Sequence, residues 1–267
     1  MNSINPLQRN AVTVLGNKDA AITMVFIPGF GSDQSVWHPV ARAFFADFRV
    51  VLLDNAGTGS YLHESFQQSH YLNMTAYADD VLEICAELKA KQIILVGHSM
   101  GSMISVLAAN KQASLIDKLI LIGASPRYLN DGDYFGGFTQ HDLDELYTAI
   151  TLNFDNWLDG FAKLAMGSSH EPSLAEKFAD AIRGIPRAQM LTALCAIFQT
   201  DHRADVEKID TPTLLIQAKD DVFVPFAVAQ YLHKSIRGSS LNIIDADGHL
   251  PHVSAPQKVI DAIAGFV

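Results

Sequence analysis

Cysteine is scarce in this 267-residue chain: Cys85 and Cys195 are the only two, each inside an apolar segment with helical spacing. That excludes a disulfide framework and predicts two buried free thiols. Long hydrophobic runs are missing as well, and nothing approaches the ~18 consecutive apolar residues that span a bilayer. The first twenty residues are mixed and polar, without the basic start and apolar stretch of a secretory signal, so a soluble, cytoplasmic protein is expected. No run of lysine or arginine occurs, and 29 acidic residues against 19 basic ones leave a formal charge of −10. Such a field repels phosphate backbones and anionic lipid, which argues against nucleic acid and membrane partners. Neither an H-E-x-x-H nor a clustered Cys/His spacing is present, so no metal is expected. The loop from Asp54 to Ser60 holds a scattered pair of glycines but no G-x-G-x-x-G, which reads as a structural turn and not a nucleotide or other cofactor site. Internal repeats and low-complexity segments are absent.

What the chain does contain is apolar residues, 49% of the total, enough for one domain of this length to bury a large core. Seven short runs have strand character: Ala11 to Leu15, Ile22 to Ile27, Arg49 to Leu53, Gln92 to Val96, Lys118 to Ile122, Thr213 to Gln217 and Leu241 to Ile244. Most are continuously apolar, as expected where both faces of a sheet are covered. Helical spacing recurs between them over Ser35 to Phe45, Met74 to Leu88, Met100 to Ala109, Ala227 to Ser235 and Ala255 to Phe266. The alternation predicts an α/β fold with a mostly parallel sheet in a three-layer sandwich. It fails over residues 126–203, where helices are predicted near Gln140 to Thr151, Asn153 to Ala165, Ser173 to Arg183 and Pro186 to Phe198. This stretch is too long and apolar for a loop. It is expected to be a helical cap inserted into a core made of residues 1–125 and 204–267; a second independent domain is the alternative. Asp201, His202 and Arg203 read as a structural hinge closing the insert.

The chemistry enters at Gly97, His98, Ser99, Met100 and Gly101, a G-x-S-x-G run that follows a strand and opens a helix. That context is the nucleophile elbow, and it makes Ser99 the candidate nucleophile. A serine hydroxyl needs a base, and the base needs an orienting carboxylate, which follow here in the order serine, acid, histidine. Two adjacent acids, Asp220 and Asp221, come after the sixth strand. The four-residue spacing to Pro225 favours Asp221 and leaves Asp220 open. Among ten histidines, His249 follows the last strand and is the candidate base. His252 is its rival but lies past Pro251 at the approach to the final helix, and His98, inside the elbow, reads as scaffold. Backbone N–H groups of Met100 and of Phe30, in the Pro28-Gly29-Phe30-Gly31 loop, are the candidate oxyanion donors.

Several longer runs carry a resemblance. Pro28 to Trp37 (PGFGSDQSVW), Ala124 to Asp131 (ASPRYLND), Tyr134 to Phe138 (YFGGF), Asn153 to Trp157, Asp201 to Arg203 and Gly248 to His252 together resemble RsbQ-like α/β-hydrolases, the regulators of the bacterial sigma-B energy-stress pathway. These are similar in turn to the plant strigolactone and karrikin receptors, and the resemblance spans nearly the whole chain. It implies an α/β-hydrolase fold, Asp221 as the acid, and a four-helix cap over a closed apolar pocket lined by Phe30, Tyr128, Phe138, Trp157, Phe161, Ile197 and Phe198. Read from spacing alone, these aromatics serve equally as core. Met100 and Leu250 depart from the family pattern and should reshape the pocket. The expected activity is serine hydrolysis of a small, largely apolar ester, lactone or related carbonyl compound. The alternative is a signalling protein or ligand receptor whose slow hydrolysis or ligand capture regulates a partner such as a PAS-domain phosphatase. A cofactor-free haloperoxidase or carbon–carbon hydrolase would use the same residues, whereas dehalogenases and epoxide hydrolases need an aspartate where Ser99 stands.

Overall fold

In the computed structural model, which describes residues 4–167 and 171–267, seven strands form one sheet. They are β1 (Thr13–Gly16), β2 (Ile22–Ile27), β3 (Arg49–Leu52), β4 (Gln92–His98), β5 (Ile116–Ile122), β6 (Thr213–Asp220) and β7 (Ser240–Asp247). Their order across the sheet is β1-β3-β2-β4-β5-β6-β7. Only β1 runs antiparallel to its neighbour; every other pair is parallel. The cause is visible in the strands, which bury both faces. Val25, Ile27, Ile93 and Leu95 enter one hydrophobic core, while Met24, Phe26, Ile94 and Val96 enter a second core on the other face. Continuous apolar runs are what such double coverage requires.

The longer helices are α1 (Met74–Glu87), α2 (Met100–Lys111), α3 (Gln140–Leu152), α4 (Phe154–Met166), α5 (Pro172–Arg183), α6 (Arg187–Phe198), α7 (Phe226–Ser235) and α8 (Pro256–Ala264). One expected helix is broken. Ser35 to Phe45 resolves into three short pieces, Gln34–Trp37, His38–Ala41 and Arg42–Phe44, because Pro39 lacks the N–H that would continue the first. The expected final helix forms over Pro256–Ala264, preceded by a separate short turn of helix over Pro251–Ser254. Cys85 is buried on α1 and its thiol is pushed up to about 12 by burial. Cys195, on α6, is only half-buried and not enclosed as expected, because its thiol lies beside the Tyr147 hydroxyl (3.9 Å) and the exposed Gln199 amide (3.8 Å).

Between β5 and β6 the described residues contain α3 to α6 and no strand; residues 168–170 of this stretch and 1–3 of the N-terminal stretch lie outside the described residues. Apolar residues three and four apart give two of the inserted helices one buried face each: Leu158, Ala162, Ala165 and Met166 on α4, and Ala175, Phe178, Ala179 and Ile182 on α5. The two ends of the insert are fastened to each other. His202 N–H donates to the Pro126 carbonyl (2.8 Å), Arg127 pairs with Asp201 (3.0 Å), and Arg203 pairs with both Asp201 and Asp131 (2.6 Å each). The Asp54 to Ser60 loop is a turn whose Asp54 carboxylate accepts from the Gln34 and Ser60 backbone N–H groups (2.8 and 2.7 Å). No helix among the described residues is long and apolar enough to cross a membrane.

Parallel strands put their C-terminal ends on one edge, where α/β sheets build their sites. The loop holding Phe30 follows β2, Ser99 follows β4, Asp221 follows β6, and His249 follows β7 by one residue. Residues 30, 99, 221 and 249 therefore meet at one edge of the sheet despite their separation along the chain.

Candidate active site

Strand β4 passes into helix α2 through a single residue, Ser99, held at φ 52° and ψ −116°. A non-glycine residue in such a conformation stores about 1–3 kcal/mol, which the surrounding packing must offset. Here a Cβ on Gly97 would lie 2.3 Å from the Gly101 carbonyl oxygen, and one on Gly101 would lie 2.3 Å from that of Ile27. The two glycines thus let the strand, the helix and the preceding loop touch backbone to backbone. The Ser99 N–H donates to the Ile122 carbonyl (2.8 Å), pinning the turn to the neighbouring strand. The hydroxyl is pushed clear of the sheet as a result.

Ser99 Oγ lies 2.8 Å from His249 Nε2, and His249 Nδ1 lies 2.8 Å from Asp221 Oδ2. A carboxylate only accepts, so Nδ1 carries the ring proton, and Nε2 is left to accept from the serine hydroxyl. The Asp221 carboxylate is 1% exposed. It also accepts from the backbone N–H groups of Phe223 (2.9 Å) and Val224 (3.1 Å) and from Gln217 Nε2 (3.3 Å). Asp220, one residue earlier, is exposed at the end of β6. Of the adjacent acids, it is Asp221 that the structure brings to His249.

Ser99 and His249 line a small apolar cavity of about 40 Å³. Of the pocket residues expected from the sequence, Phe30, Tyr128, Phe161, Ile197 and Phe198 line it. Phe138 and Trp157 do not. Phe138 stands behind Tyr128 and Phe198, edge-on to both (6.1 and 5.5 Å between centroids), and Trp157 stacks on the far side of Phe161 (5.1 Å). Helical spacing places these rings on the right face but cannot separate the wall from the layer supporting it. Sequence reading also missed lining residues: Ala165, Phe178, Leu194 and Phe223. Phe223 had a signal in its position between Asp221 and Pro225; its ring packs edge-on to His249 (5.5 Å). The polar groups on the wall are the Ser99 hydroxyl, the His98 and His249 rings, and the Tyr128 hydroxyl, 3.4 Å from Ser99 Oγ. Burial first of all raises the Tyr128 phenol above its ordinary range, so it stays a protonated donor.

The backbone N–H groups of Met100, first residue of α2, and of Phe30 have no acceptor among the described residues. The N–H groups of a first helical turn have no partner within their own helix, and the helix dipole places partial positive charge there. Phe30 shares the cavity wall with Ser99.

Beside Ser99 and His249, His98 and His252 are 2% and 0% exposed. His252 packs between Trp37 and His98 (4.4 Å to each centroid). Burial, followed by the charge of His249, pushes His252 down to about 3, and burial is also the main cause that holds His98 well below its usual 6.5. In the unfolded chain both take up protons near the ordinary value. The unfolded state therefore binds more protons below it, and stability is complete above pH 6.5 and falls as pH drops through the window from 6.5 toward 3. His252 is expected to remove about 2 kcal/mol by about pH 5, and His98 acts in the same direction. Urea unfolding at about pH 7.5 and about pH 5 measures this, and equal unfolding free energies would contradict buried neutral imidazoles.

The model of the alpha/beta hydrolase family matches residues 24–262. The chain is similar to a probable esterase of rice (Oryza sativa subsp. japonica), 39% identical over 241 residues that cover 90% of this chain and 89% of the relative. It is similar to the "Karrikin insensitive 2 receptor CA" of Petunia hybrida, 38% identical over 94% of this chain and 93% of that one. Among solved structures it resembles a hydrolase from Oleispira antarctica, with a TM-score of 0.94 and 30% identity over 98% of this chain and 96% of the other.

Proposed function

This chain belongs to the alpha/beta hydrolase family, and on that premise we propose that it hydrolyses a small, largely apolar ester or lactone through Ser99, His249 and Asp221. The observation that carries the reading is the continuous hydrogen-bonded line from Ser99 Oγ through His249 to Asp221, both links 2.8 Å, at the wall of an apolar cavity. Ser99 attacks the substrate carbonyl carbon while its proton passes to His249 Nε2. The charge that develops on the carbonyl oxygen is met by the N–H groups of Phe30 and Met100. His249 then returns the proton to the leaving oxygen, the carbon–oxygen bond breaks, and an acyl group remains on Ser99. A water molecule, deprotonated by His249, repeats the sequence and frees the acid. Asp221 holds the ring with Nδ1–H inward and stabilises the imidazolium formed in each half.

The four helices α3 to α6 act as a cap, and α4, α5 and α6 supply Phe161, Ala165, Phe178, Leu194, Ile197 and Phe198 to the wall. Its rings favour apolar acyl or lactone groups, and the absence of lysine and arginine from the lining disfavours anionic substrates. Nitrophenyl esters of increasing acyl length test this. Turnover is expected for short chains and should fall at least tenfold once the chain outgrows the cavity. A phosphonate probe should add to Ser99 alone. Absence of both turnover and adduct would sink the reading.

A second reading is favoured by the similarity to a relative named as a receptor. Here slow hydrolysis or retention of the ligand changes how the cap meets a partner, a PAS-domain phosphatase being the one implied by the RsbQ-like resemblance. It requires turnover well below the ~1 s⁻¹ floor of ordinary enzymes. It also requires phosphatase binding that depends on the ligand. Fast turnover with no ligand-dependent binding excludes it.

A further inference from the structure

His98 precedes Ser99 and stands outside the triad, yet it touches both of the other loops that the chemistry needs. Its Nε2 lies 2.7 Å from the backbone carbonyl oxygen of His249. A carbonyl only accepts, so Nε2 carries the ring proton and Nδ1 is a bare lone pair. That other edge faces Gly29: a Cβ built there would sit 2.5 Å from Nδ1 and 3.1 Å from Cε1. The ring is wedged between the loop that presents the Phe30 N–H and the loop that presents the catalytic imidazole. Its face rests against His249 (4.8 Å between centroids) and His252 (4.4 Å), and His252 is backed by Trp37. On the opposite side of the same residue, the His249 N–H donates to the Ala165 carbonyl at the end of α4 (2.6 Å). The backbone of His249 is thus gripped at both its amide and its carbonyl, once by the insert and once by the elbow.

We propose that His98 is a positioning residue: by donating from Nε2 to the His249 carbonyl while filling the space beside Gly29, it sets the distance between the base and the oxyanion loop. The inference rests on the triad reading given above. A displacement of about 1 Å at a reacting group costs on the order of a hundredfold in rate, so a single hydrogen bond at this point has kinetic weight. Burial keeps the ring neutral. It therefore grips His249 without placing a second positive charge beside the imidazolium that forms there during turnover.

Two substitutions of equal length separate the hydrogen bond from the packing. His98→Gln carries an amide N–H where the ring Nε2 lies, and His98→Met fills similar space with no donor. His98→Met is expected to lower kcat for a nitrophenyl ester by roughly 30- to 100-fold with KM within about threefold, and His98→Gln to stay within about fivefold of the parent. The rate of phosphonate addition to Ser99 should fall in parallel with kcat. Equal losses in the two variants, or no loss in His98→Met, overturn the proposal. If His98→Met does not fold, the unaltered protein still decides: nitrogen-15 NMR of its histidines must show His98 as the Nε2–H tautomer, and an Nδ1–H tautomer overturns the proposal. An unaltered protein that takes no phosphonate at Ser99 fails the triad reading itself. One that takes it, while Gln and Met behave alike, fails only the positioning role.

Discussion

Replacement of Ser99 by alanine is expected to lower kcat/KM for a short-chain nitrophenyl ester by about 10⁴- to 10⁶-fold, the range seen when the nucleophile of a serine triad is removed. The fold should survive. Among the described residues the Ser99 side chain bonds only to His249 Nε2 and, at 3.4 Å, to the Tyr128 hydroxyl, and both belong to the site. Alanine keeps the Cβ that the elbow already tolerates at φ 52°. The backbone link from residue 99 to Ile122 and the contacts of Gly97 and Gly101 do not involve the hydroxyl. Urea unfolding should move by less than ~1 kcal/mol while turnover disappears. Unchanged turnover in this variant removes the assignment of Ser99 as nucleophile.

Asp221→Asn is expected to cost about 10³- to 10⁴-fold in kcat for a different reason. The volume is conserved, and the remaining carbonyl oxygen can still accept from the Phe223 and Val224 N–H groups, which hold the present Oδ1 at 2.9 and 3.1 Å. The atom facing His249 Nδ1 becomes a donor. The imidazole then accepts at Nδ1 and carries its proton on Nε2, where it can no longer take the serine proton. It also loses the negative charge that stabilised its protonated form. Asp220→Asn is the matched control: its side chain is exposed at the end of β6, and kcat should stay within about twofold. A large loss in the control together with a small loss in Asp221→Asn would reverse the order of the two acids.

The elements that were easiest to read share one property, that their signal is local. The Gly97 to Gly101 run lies on a strand, a turn and a helix in sequence, so three short-range patterns agree about one residue. The continuous apolar runs marked the strands because each strand faces two cores. Helix breaks were harder. Pro39 divides a segment whose apolar spacing is otherwise regular, and spacing outweighed its missing N–H. The pocket was legible in part. Phe161 and Trp157 stand four residues apart on the same face of α4, yet one lines the cavity and the other supports it. Their order is set by where Phe223 and Phe178 approach, both packed against Phe161, and neither approach leaves a trace in the spacing of α4.

From the residues alone came the layered α/β class, the helical stretch between the fifth and sixth strands, the place of Ser99 on its turn, and the choice of Asp221 and His249 as its candidate partners. Each depends on hydrogen bonding and burial within about a dozen neighbouring residues, which periodicity and turn chemistry encode directly. Only the packed molecule separated Asp221 from its adjacent twin by direction, exposed the double grip on the His249 backbone, and sorted the wall of the cavity from the layer behind it. Those outcomes are distances between groups brought together by strand pairing across the sheet. A distance of that kind depends on the register and twist of every strand between the two groups, which no single stretch of chain contains.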